Sequence, residues 1–80
     1  MKAVCWRLDE EQAAVYTEDR EVVRRLLEID RFPTRSEGGF STYTDAKGKT
    51  FAWQASFAAS LWSHVHRHLR RSEVAVEDRK

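Results

Sequence analysis

GGFSTYTDAKGKTFAWQASFAASLWSHVHRHLRR, residues 38–71, holds a β-hairpin that runs almost directly into an amphipathic helix. Phe40 to Thr44 is rich in aromatic and β-branched residues, which suit a pleated, half-buried surface. Asp45-Ala46-Lys47-Gly48 then supplies a turn in which the glycine can take the left-handed conformation. From Thr50 the residues alternate: Phe51, Trp53, Ala55 and Phe57 fall on one side, and Thr50, Ala52, Gln54 and Ser56 on the other. Leu61, Trp62, Val65 and Leu69 follow at helical spacing, with Ala58 one turn earlier and Ser63, Arg67, Arg70 and Arg71 facing away.

A weaker version of the same pattern precedes it. Val4, Trp6 and Leu8 alternate with Ala3, Cys5 and Arg7, which predicts a strand over 2–8 with the larger set buried. Asp9 to Gln12 reads as a polar turn and 13–17 as the returning strand. Thr17 is placed to cap a helix over 18–30, with Glu18 and Asp19 in its first turn. Val22, Val23, Leu26 and Ile29 form its apolar stripe, and Leu27 borders it. Glu21 with Arg25, and Arg24 with Glu28, are solvent-side pairs of about 0.2–0.5 kcal/mol each. Pro33 lies beyond that helix, in a linker over 31–39.

The resulting expectation is an α+β domain over 1–72, ββαββα, with one four-stranded antiparallel sheet and both helices on one face. Its core comprises Val4, Trp6, Leu8, Val15, Val22, Leu26, Phe51, Trp53, Phe57, Leu61, Trp62, Val65 and Leu69. Residues 73–80 read as a mobile polar tail, although the alternation of Val74 and Val76 leaves a short fifth strand as the alternative.

Eighty residues suit one domain, and a chain of this size buries only about 60–65% of its unfolded surface. No apolar run approaches the roughly 20 residues of a membrane span. The first residues turn acidic too early for a secretory signal, and one cysteine is no disulfide framework, so the expected location is cytoplasmic. Net charge is +1, but it is unevenly spread: residues 1–40 carry seven Lys/Arg against nine Asp/Glu, and residues 41–80 seven against four. No acidic residue lies between Ala46 and Ser72.

Catalytic and metal patterns fail on spacing. Gly48-Lys49-Thr50 has the ending of a phosphate loop, but the first glycine would fall at Tyr43 and the segment leads into a strand. Ser60 and His64 are one turn apart, yet no orienting acid or oxyanion loop accompanies them. The carboxylates of Asp9, Glu10 and Glu11 sit in an exposed turn, where nothing raises a pKa for acid catalysis. His64 and His68 share a helix face while His66 lies about 200° round from His64, so at most half a zinc site is present. The chain is therefore expected to be non-catalytic, with no cofactor and no metal.

Two surfaces remain. The sheet face away from the helices is expected to carry Arg7, Tyr16, Tyr43 and Gln54 among small residues including Ala3, Cys5, Ala14, Ser41 and Ala52. The outer side of the second helix carries Arg67, Arg70 and Arg71. These predict an interaction module, such as an adaptor, inhibitor or regulatory subunit, that binds an acidic protein or a second copy of itself. The alternative is an RNA or single-stranded DNA binder that stacks bases on Tyr16 and Tyr43 and holds phosphates with the arginines.

Overall fold

The computed structural model describes residues 1–79. It contains β1 (Lys2–Arg7), β2 (Gln12–Thr17), α1 (Arg20–Leu27), β3 (Ser41–Thr44), β4 (Thr50–Ala58), α2 (Trp62–Arg71) and β5 (Ala75–Arg79). Short 3-10 turns precede β3 and α2. The strands make one five-stranded sheet in the order β3-β4-β2-β1-β5. Neighbours are antiparallel except β1 and β5, which run parallel.

The α+β class agrees with the sequence reading, but the sheet has five strands and is mixed rather than four-stranded and antiparallel. Residues 75–79 make the difference. The chain leaves α2 through Glu73, at φ 62°, and the Val74 amide donates to the Leu69 carbonyl at 3.0 Å. Val74 is buried there. The Ala75 amide then donates to the Met1 carbonyl at 2.9 Å, starting the pairing with β1. Lys80, the last residue of the expected tail, lies outside the described residues.

A second correction concerns which way β1 faces. Asp9 Oδ1 accepts from the amides of Glu11 and Gln12, at 2.7 and 2.8 Å, and the Leu8 amide donates to the Gln12 carbonyl at 2.9 Å. This closes the hairpin one residue sooner than the four-residue turn read from the sequence. A shift of one residue turns every side chain of a strand to the other face. Cys5 therefore opposes Val15, which opposes Ala55, and Ala3 and Cys5 are innermost with no exposure. Arg7, opposite Ala13, shares their face. Val4 and Trp6 lie on the far side with Ala14 and Tyr16. Leu8, expected in the core, is 56% exposed, and so is Phe51 at 46%.

The core lies between the inward side chains and both helices. Val22, Val23 and Leu26 of α1 and Val65 and Leu69 of α2 pack with Val15, Trp53 and Phe57. Leu61 and Trp62 are only partly buried against it. α1 is shorter than the apolar stripe suggests. Its cap is Asp19, whose carboxylate accepts from the Glu21 amide at 2.9 Å. Thr17, the expected cap, instead donates its hydroxyl to the Lys2 carbonyl at 2.8 Å and accepts from the Asp19 amide at 3.1 Å. The linker adds two core residues that its composition hides: Phe32 stacks on Phe40 with centroids 5.9 Å apart, and it meets Phe57 at the same distance.

Leu8 separates this architecture from the register read in the sequence, and Phe57, buried on either reading, calibrates the comparison. Phe57→Ala should cost about 3–5 kcal/mol in a urea melt, the range for truncating a buried aromatic. Leu8→Ala should stay within about 0.5 kcal/mol of the parent, as exposed sites do; a loss of 2 kcal/mol or more would restore Leu8 to the core.

Candidate functional sites on the two faces

Alternation along the strands leaves Val4 and Trp6 of β1, Ala14 and Tyr16 of β2, Ala52 and Gln54 of β4 and Tyr43 of β3 on the face that no helix covers. Val4, Ala14 and Ala52 are nevertheless buried, at 8%, 1% and 0% exposure. Larger neighbours on the same face close over them. The Tyr16 and Tyr43 rings meet edge to face at 5.8 Å, and the Tyr43 hydroxyl donates to Gln54 Oε1 at 2.8 Å. The Tyr16 hydroxyl donates to Glu18 at 2.9 Å. Desolvation, then the Glu18 carboxylate, raises the Tyr16 pKa above its ordinary value, so the phenol stays neutral.

Charge on this face is confined to one end, where Lys2 and Arg79 stand with two carboxylates, Glu77 and Glu18. Lys2 and Arg79 both contact Glu77, at 3.3 and 3.2 Å. Hydrogen bonds from Lys2 and then Arg79 hold the Glu77 carboxyl below its usual range. The rest is aromatic, small or uncharged, with Ser41 opposite Gln54 and Ser56 opposite Ala14.

The second site lies on the helix side, between α2 and β5. A depression of about 650 Å³ is lined by Trp62, Ser63, His66, Arg67, Arg70, Arg71 and Asp78. Spacings of three and four residues put Arg67 beside Arg70 and Arg71 on one side of α2. None of these three makes an ion pair among the described residues. On α1, by contrast, Arg20 meets Glu37 at 3.7 Å, Arg24 meets Glu21 at 3.7 Å, and Arg25 meets Glu21 and Glu28 at 3.3 and 3.5 Å.

His66 forms the floor of this depression and ties the two elements together. It is 5% exposed. Its Nδ1 lies 2.8 Å from the Trp62 carbonyl and its Nε2 2.5 Å from Asp78 Oδ1. Both ring nitrogens are thus engaged, one by the α2 backbone and one by β5. Trp62 stands over the imidazole, with centroids 4.5 Å apart, and Arg7 Cζ lies 4.5 Å from the centre of the Trp62 ring.

The residues singled out from the sequence are thus divided between two faces. Tyr16, Tyr43 and Gln54 meet on the open sheet, whereas Arg67, Arg70 and Arg71 gather on the opposite side. Arg7 belongs with Trp62 rather than with the tyrosines. Ala3 and Cys5, expected on the open face, are buried beneath the helices, and Trp6 and Val4 take their place. His66 stands at i+4 from Trp62 and i−3 from Leu69, on the border of the apolar stripe; its role was hidden because its carboxylate partner comes from the segment read as a tail. His64 is exposed, and His68 lies 3.2 Å from Glu28. Among the described residues no group of three or more His, Cys, Asp and Glu is placed to hold a metal ion, and no helix is long and apolar enough to cross a membrane.

No protein-family model, curated protein or solved structure matches this chain. Its function is therefore argued from these two surfaces.

Asp78→Ala should cost about 1–3 kcal/mol, because it leaves a buried imidazole nitrogen without its partner. Hydrogen exchange should show the β5 amides opening first; unchanged stability would mean that the contact is incidental. Cys5 gives a pH test. Burial, with a smaller effect from Asp78, pushes its thiol from 9.0 to about 12. The unfolded chain ionises first, so this contribution to stability is complete below pH 9 and declines as pH rises between 9 and about 12. Urea melts at pH 8 and pH 10 should show a steeper loss for the parent than for Cys5→Ala.

Proposed function

We propose that the protein is a small non-catalytic interaction module, of the adaptor, inhibitor or regulatory-subunit kind, whose open sheet face docks a protein surface, in the first instance that of a second copy. The observation that carries this reading is the composition of the face. Val4, Trp6, Tyr16 and Tyr43 surround alanines and small hydroxyl residues, and the few charges present are already paired. Small residues let another surface approach closely, and aromatic rings supply contact area at low entropic cost.

A second copy fits because a face with balanced charge does not repel itself. The size of the face sets the strength. Five strands spaced about 4.8 Å apart, each about 20 Å long, offer a footprint of about 480 Å² per copy. Two such faces bury about 1,000 Å², the lower limit for a specific interface, so association should be reversible and concentration-dependent. Electrostatics argue against this face as a nucleic-acid platform: Lys2 and Arg79 are matched by Glu77 and Glu18, and the free arginines lie across the sheet from the tyrosines. The non-catalytic reading draws support from His66, since neither ring nitrogen is free to act as a general base.

Sedimentation velocity between 5 µM and 1 mM protein tests the assignment, where ~µM to mM association is the range expected of so small an interface. A monomer–dimer equilibrium is expected that shifts to monomer in Trp6→Glu and in Gln54→Glu, with both variants checked for parental folding by circular dichroism. A monomer throughout this range, or a dimer indifferent to both substitutions, would overturn the reading.

A further inference from the structure

We propose that the outer face of α2 binds the sugar-phosphate backbone of nucleic acid through Arg67, Arg70 and Arg71, without reading base sequence. The site is on the opposite side of the sheet from the face assigned to self-association, so the two assignments stand or fall separately.

The first argument is charge without a partner. The three arginines of α1 are each matched by a glutamate, while those of α2 have no carboxylate contact among the described residues. α2 contains no acid, and the one acid lining the depression, Asp78, is taken up by His66. Three guanidiniums converge there on open solvent. Arg70 and Arg71 stand in the last turn of α2, where the helix dipole favours cations, and their guanidinium forks are left open to an outside acceptor.

The second argument is geometry. Arg67 to Arg71 spans about 6 Å of helix axis, against about 3.4 Å of duplex per phosphate on one strand. The cluster therefore matches two or three consecutive phosphates. Guanidinium presents paired donors that suit phosphate oxygens.

The third argument separates nucleic acid from an acidic protein. A protein interface needs a centre of several apolar side chains, and Trp62 is the one large apolar side chain lining this depression. Trp62 is its aromatic residue, and its ring is occupied by Arg7 and His66. The same occupancy prevents a base from stacking there. What remains is a set of cations that can grip a backbone, and such contacts position a nucleic acid without specifying its sequence.

The test is fluorescence anisotropy with two labelled 16-base-pair DNA duplexes of unrelated sequence, titrated with the full chain at several salt concentrations. Three phosphate contacts predict a slope of log K against log salt of about −2.7, which is about a 40-fold loss of affinity between 50 and 200 mM salt. The two duplexes should bind equally. Each of R67Q, R70Q and R71Q should flatten the slope by about one, and the triple variant, with parental circular dichroism and melting, should not bind. K47Q, which removes an exposed cation in the turn between β3 and β4, should leave the slope unchanged. Binding that survives the triple variant, a slope near zero, or stronger binding to a labelled polyglutamate peptide than to DNA would overturn the proposal.

Discussion

Both helices rest on a sheet whose inward face is built from small side chains at its centre, and the other features of the molecule follow from that match in volume. Ala3, Cys5, Ala13 and Ala55 leave room above β1, β2 and β4, and Val22, Val23, Leu26, Val65 and Leu69 fill it. Interiors pack at nearly crystalline density, so a bulky residue turned inward from β1 would have no volume to occupy. The Asp9-capped turn sets the register that keeps Ala3 and Cys5 beneath the helices. Val4 and Trp6 are consequently delivered to the opposite surface. The apolar character of the open face is thus the complement of a tightly closed core.

The parallel pairing of β5 with β1 has a comparable reach. It covers what would be an exposed edge of β1, beside α2. It also brings Asp78 to His66, which gives a carboxylate partner to a polar ring that helical periodicity places beside Trp62 and Leu69. With Trp62 and Arg7 stacked in sequence over that ring, the end of α2 nearest β1 is held rigidly. The other end projects three arginines into solvent. The edge strands differ in kind: β5 carries Glu77, Asp78 and Arg79, charges that discourage further strand addition, whereas β3 is short and uncharged.

This arrangement keeps apart the two surfaces read from the sequence. Aromatic and small residues occupy one side of a sheet, unpaired cations the other, and the sheet itself stands between them. A ligand held by the tyrosines cannot reach Arg67, Arg70 or Arg71 without passing round an edge. A module with two independent faces could therefore hold a protein surface and a charged polymer at once, each by the physics suited to it.

The second ββα unit was legible because its signals agree: Gly48, with φ 81°, the alternation from Trp53 through Phe57, and the Val65–Leu69 stripe are local properties, and each is found where the residues place it, whereas Phe51, at the start of β4, is exposed. The apolar stripe of α1 and the arginine cluster of α2 were legible for the same reason. What local pattern could not supply was the outcome of a competition. Val4–Trp6 and Ala3–Cys5 alternate equally well, and only turn closure and core volume choose between them. Phe32, Phe40 and Val74 are buried by segments without periodicity of their own. β5 is too short and too charged to declare itself as a strand, and acquires that identity from hydrogen bonds to β1. The sequence by itself determined the α+β class, the two helices and the surplus of unpaired positive charge, because these depend on neighbours in the chain. The tertiary structure alone decided which face of β1 is buried, where the tail docks and that His66 meets Asp78, because those depend on residues distant in the chain meeting in space.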